Sequence, residues 1–99
     1  MTQQEFWNLH DSGTIECKIF VWEDEYDRKT VEAFEYNGKF FLRIIDEVGG
    51  RSWYSEVKHR MTHTRGYINT RIKEFDTKAH ANNYFKKVFE GYTYKKVQG

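Results

Sequence analysis

Ninety-nine residues at 12.0 kDa, with no proline, one cysteine and a formal charge of +1, fit one domain over residues 1–99 built on one core. A single cysteine excludes an internal disulfide and the Cys-rich zinc centres. Phe, Tyr and Trp make up 18% of the chain, enough large side chains to fill a small core despite a mean hydropathy of −0.89.

The opening residues are polar and lack a cationic leader. The longest nearly apolar run, Phe40 to Ile45, is broken by Arg43 and is far too short to span a bilayer. The expectation is a cytoplasmic protein with no membrane partner. Thr2-Gln3-Gln4-Glu5 has the form of a capping box, followed by Phe6, Leu9 and His10 on one side of a short helix that Gly13 stops. From Thr14 the period becomes two. Ile15, Cys17, Ile19 and Val21 alternate with Glu16, Lys18, Phe20 and Trp22, which predicts a strand with one buried face. On this reading Phe20 and Trp22 point away from the core, where either the N-terminal helix or a partner covers them.

Glu23 to Arg28 is a charged connection. Thr30 to Tyr36 and Lys39 to Asp46 flank Asn37-Gly38, a pair that favours a type I′ hairpin turn because both positions need positive φ. Gly49-Gly50 predicts a further turn before a fourth strand over Ser52 to His59. A fifth strand follows over Tyr67 to Phe75. Asp76 then caps a final helix in which Ala81, Tyr84, Phe85, Val88 and Phe89 recur at helical spacing, and Gly91 ends it. The predicted class is α+β: a meander of about five antiparallel strands, a short N-terminal helix, and a C-terminal helix packed on the sheet.

Catalytic and metal-binding patterns are weak. His59 and His63 stand four apart, but in a strand end and loop rather than on a helix, where that spacing would converge on a metal. Cys17 lies on an apolar strand face and reads as a small hydrophobe rather than a nucleophile. The acidic run from Glu23 to Asp27 lacks the spacing and central glycine of a calcium loop. No phosphate-cradling glycine motif or nucleophile elbow occurs. The chain is expected to be no enzyme and to need no cofactor or metal.

Charge is the informative feature. Residues 1–50 hold 11 acidic and 5 basic side chains, while residues 51–99 hold 4 acidic and 11 basic. Such an asymmetry points to a polyanion-binding face. It is densest from residue 58 to 73, where Lys58, Arg60, Arg65, Arg71 and Lys73 occur with Tyr67 and Asn69 and no acid. Arginine forks and hydroxyls suit phosphate oxygens, and a tyrosine ring stacks on a base.

Around this segment the chain resembles the WGR domain, a small nucleic-acid-binding module found in poly(ADP-ribose) polymerases and in bacterial proteins. Asn37-Gly38-Lys39-Phe40-Phe41 matches the family's Gly-Lys-aromatic strand, and Arg60 matches the motif arginine. Gly66 matches the loop glycine, and Phe75-Asp76-Thr77 with Ala81, Phe85 and Phe89 matches the entry to the closing helix. The resemblance covers roughly residues 29 to 96, with Lys58-His59-Arg60 standing where the family has Trp-Gly-Arg. It implies a sheet closed by a helix and a nucleic-acid partner, and it carries over Arg60 alone as a contact residue.

Two functions from different classes follow. One is a non-enzymatic nucleic-acid-binding module, with DNA expected ahead of RNA, using Lys58, Arg60, Arg65, Arg71 and Lys73 on phosphates and Tyr67 for stacking. The other is a protein-interaction domain, such as a phage or mobile-element inhibitor or accessory protein, docking through Phe20, Trp22, Tyr26 and Tyr54.

Overall fold

The segments of period two form strands and the two capped segments form helices. A computed structural model describes residues 1–49 and 67–98. In chain order these give α1 (Gln3–Asp11), β1 (Lys18–Glu23), β2 (Arg28–Tyr36), β3 (Lys39–Val48), β4 (Tyr67–Phe75), α2 (Lys78–Val88) and β5 (Lys95–Gln98). The strands form one antiparallel sheet of order β4-β3-β2-β1-β5, so the class is α+β. Strands β1 to β4 lie side by side in sequence order. After α2 the chain returns to the opposite edge and pairs β5 with β1. The strand expected over Ser52 to His59 lies outside the described residues. The fifth strand of the described sheet is Lys95–Gln98, beyond the last element that the sequence pattern announces. Among the described residues, no helix is long and apolar enough to cross a membrane.

Local chemistry sets the boundaries. The Thr2 hydroxyl accepts from the Glu5 amide at 3.1 Å while the Thr2 amide donates to the Glu5 carboxylate at 2.8 Å, closing the capping box. Asn37 and Gly38 take φ of 54° and 75° at the β2–β3 tip, as a type I′ turn requires. Between β1 and β2 the Asp24 carboxylate accepts from the amides of Tyr26 and Asp27, holding a tight polar turn. The cap of α2 differs from expectation. Thr77, not Asp76, accepts from the His80 amide, and Asp76, one residue before the cap, pairs with Lys39.

Both faces of the sheet are buried. Phe41, Leu42, Arg43 and Ile44 are consecutive buried residues of β3, so neighbours serve opposite layers. On one face Phe34 and Phe41 stack at 5.1 Å, and α1 lays Phe6 over them, with Ile15 completing the cluster. On the other face Val31, Leu42 and Ile44 pack with Phe89 under α2.

Phe20 and Trp22 belong to this second face, which corrects their expected placement. Phe20 meets the Phe85 ring at 4.9 Å and Tyr94 at 5.9 Å, while Trp22 meets Tyr92 at 4.5 Å. The cover is thus α2 with the segment that follows it, and α1 sits on the other side. The alternation read correctly; the assumption that only one face was buried did not hold.

Arg43 is the polar member of the α1 layer. It is 8% exposed, donates to the Glu32 carboxylate at 2.5 Å and to the Gln3 side chain at 2.9 Å, and lies 4.6 Å from the Phe6 ring centre. The guanidinium is therefore hydrogen-bonded and stacked rather than merely enclosed.

Phe6 has no exposed surface. Phe6→Ala should destabilise the protein by about 3–5 kcal/mol, the usual cost of emptying a buried phenylalanine site. A urea titration followed by tryptophan fluorescence measures this, and a loss below about 1 kcal/mol would contradict the packing of α1.

Candidate functional site

β4 presents the described part of the basic segment. Its register pairs Val48 with Tyr67, Asp46 with Asn69, Ile44 with Arg71, Leu42 with Lys73 and Phe40 with Phe75. Alternate residues share a face, so Arg71 and Lys73 rise on the same side of the sheet as α2, and Tyr67 opens the strand at the position opposite Val48. Lys58, Arg60 and Arg65 lie outside the described residues.

Arg71 and Lys73 have different surroundings. The Arg71 guanidinium donates to Asp46 at 3.2 Å, and the other oxygen of Asp46 accepts from the Lys29 ammonium at 2.8 Å. Lys29 in turn lies 5.3 Å from the centre of the Tyr92 ring. Burial pushes the Asp46 carboxyl upward, but hydrogen bonds and charge from Lys29 and Arg71 outweigh it and hold the group below its ordinary value. Arg71 therefore ties β4 to β3 and β2 as well as facing solvent. Lys73 is exposed, with its ammonium 5.7 Å from the Tyr84 ring centre and no ion-pair partner among the described residues.

The same distinction runs through the molecule. In the acidic first half Arg28, Lys29, Lys39 and Arg43 each pair with a carboxylate. On the α2 side Lys18, Lys73, Lys78, Lys86, Lys87 and Lys96 are exposed and make no ion pair among the described residues. Register places Lys18 opposite Ala33 and Lys96 opposite Phe20, both on this face. The opposite layer, α1, carries Glu5 and Asp11 and neither lysine nor arginine. Among the described residues, the unpaired lysines other than Lys95 therefore gather on the α2 side of the sheet.

A cleft of about 470 Å3 opens where the N-terminal end of α2 meets the sheet, floored by Phe20, Leu42 and Phe85. Its rim holds Lys18 and Lys78 but also Glu16 and Glu35, so the charges cancel. Cys17 is half-buried near Glu32 and Arg43. Burial and the Glu32 charge push its thiol up to about 11, with Arg43 opposing weakly. That is the reverse of what a nucleophile needs.

The expected aromatic anchors are dispersed. Phe20 and Trp22 pack beneath α2 and its following segment, Tyr26 stands in the β1–β2 turn at 45% exposure, and Tyr54 lies outside the described residues. Sequence reading overlooked the lysines of α2 and β5 as a group. Their signal was available: Thr77 to Gln98 contains five lysines and one acid, Glu90.

Compared with known proteins, the chain matches no family model, no curated protein and no solved structure. The likeness to the WGR domain rests on the sequence pattern alone.

Two measurements check these environments. Because the folded-state value of Asp46 is depressed, its contribution is present at neutral pH and is lost as pH falls through the native value. Asp46→Asn should cost about 1–3 kcal/mol at neutral pH, since it weakens the partnership of two part-buried cations, and the gap from the parent should narrow below about pH 4. Urea titrations at both pH values read this out. For Cys17, a thiol near 11 leaves only about a thousandth ionised at pH 8, so alkylation by iodoacetamide should be slow in the native protein and accelerate sharply in denaturant.

Proposed function

We propose that this chain is a small, non-enzymatic nucleic-acid-binding module acting on DNA in preference to RNA, in a cytoplasmic setting. The observation that carries the reading is the sorting of cations. Among the described residues Arg28, Lys29, Lys39, Arg43 and Arg71 are tied to carboxylates, whereas Lys18, Lys73, Lys78, Lys86, Lys87 and Lys96 on the α2 side are exposed and make no ion pair. A lysine already neutralised by a carboxylate gains little from a phosphate; an unpaired one releases condensed counterions when it meets the backbone. On this reading Lys73 of β4 joins Lys58, Arg60 and Arg65 of the same sequence segment on phosphates, Arg71 contributes less because Asp46 already pairs it, and Tyr67 stacks on unpaired bases. The competing role as a protein-docking domain loses support, since Phe20 and Trp22 are occupied within the fold.

Binding should fall steeply with salt. Three to five phosphate contacts give a log–log slope of about −3 to −4.5 on duplex DNA. Lys73→Gln should flatten it by about one unit with little change in thermal stability, as befits an exposed side chain. Fluorescence anisotropy on labelled duplex and single-stranded oligonucleotides across a salt series measures both. Absence of binding to either at about 50 mM salt would overturn the reading.

A further inference from the structure

The outward face of α2 has a composition and a setting that go beyond a generic cationic surface. Ala81, Tyr84, Phe85 and Val88 turn toward the sheet, so helical geometry turns Ala79, Asn83 and Lys86 to the opposite side, with Lys87 adjoining. All four outward residues are exposed, and α2 contains no acid. The small residue leads, an amide sits at the middle, and the two cations follow. The helix extends about 16 Å and, with side chains, is about 10–12 Å across, which suits a major groove about 12 Å wide.

The sheet supplies the flanks. Lys73 of β4 and Lys96 of β5 both lie on the α2 side, on the two outermost strands of the described sheet. Four interstrand gaps of about 4.8 Å separate those strands by about 19 Å, with α2 standing between them. A helix seated in a groove needs cations on both sides to meet the two bordering phosphate backbones, and this arrangement provides one on each.

We infer that α2 is the element that enters the major groove of double-stranded DNA, with Asn83 at the base edges, Lys86 and Lys87 within the groove, and Lys73 and Lys96 on the two backbones. The inference rests on the nucleic-acid reading and adds its target, a B-form duplex, and its contact element. An asparagine amide offers the donor and acceptor that an adenine edge presents in reverse. A-form RNA has a major groove too deep and narrow for such an approach, so RNA duplexes should bind more weakly.

The test uses the full chain with a DNA duplex of about 20 base pairs, its single strands, and the matching RNA duplex, read by anisotropy, with folding of each variant checked by circular dichroism. Lys86→Gln and Lys87→Gln should each flatten the duplex-DNA salt slope by about one unit, while Lys95→Gln, a lysine whose register places it on the α1 side opposite Val21, should leave affinity within about twofold. Ala79→Trp adds bulk without altering charge. It should weaken duplex-DNA binding by about tenfold or more and leave single-strand binding within about twofold, because only a groove restricts the helix sterically. Guanine N7, which lies in the major groove, should be protected from dimethyl sulfate by the parent protein but not by Ala79→Trp. Failure to bind any nucleic acid overturns both the function and the helix assignment. Binding that survives Ala79→Trp, Lys86→Gln and Lys87→Gln but is abolished by Arg60→Gln with Arg65→Gln overturns the assignment of α2 and leaves the function standing. Equal affinity for the RNA duplex, or no N7 protection at saturation, also overturns it.

Discussion

Strand β3 imposes the main constraint on this fold. Phe41 to Ile44 are buried in succession, so the strand demands a cover on each face, and a sheet of this size cannot supply two from itself. The chain answers with a helix from each end. α1 closes over Phe34 and Phe41, and α2 closes over Val31, Leu42 and Ile44. Arg43 is the polar element in that run, and its position decides how α1 sits. Enclosing a guanidinium is tolerable only when its donors are matched, and here Glu32 comes from the neighbouring strand while Gln3 and the Phe6 ring come from the helix. The helix therefore completes a charge's environment as well as a hydrophobic layer.

The outline of the fold was legible because several signals had few alternatives. A Thr-x-x-Glu box opens a helix, an Asn-Gly pair between alternating runs makes a hairpin, and the stripe from Ala81 to Phe89 marks a helix lying on something apolar. Three features were not legible, each for a physical reason. Period two reports which residues share a face, not which face is covered, and Glu16 and Lys18 made the Phe20 side look exposed. Thr77 and Asp76 are adjacent residues that both cap well, and sequence alone does not show that Thr77 takes the cap while Asp76 pairs with Lys39, far away in sequence. β5 has four residues, two of them lysine, and no apolar alternation; its place depends on the free edge of β1, which is a tertiary fact.

The candidate site was half visible for a similar reason. Residues 58 to 73 drew the eye because cations are dense there and acids are absent, yet linear density does not say which cations are already neutralised. Arg71 shares Asp46 with Lys29, while Lys73, two residues on, is unpaired among the described residues. Conversely Lys86 and Lys87 read naturally as complements to the negative end of the helix dipole. Only when the sheet places Lys73 and Lys96 on either side of that helix do they form part of a larger pattern.

The short strand β5 also bears on what the molecule does at high concentration. A sheet margin with unused amides and carbonyls invites another chain to add on, and long apolar margins lead to fibres. Among the described residues β5, the strand beyond β1, is four residues long, and its register with β1 shifts between Ile19 and Phe20. It puts Lys95 toward one face and Lys96 toward the other. An incoming strand would have to strip water from an ammonium whichever way it approached, and two copies meeting edge to edge would bring like charges together. The two lysines thus make this margin a poor template for self-assembly.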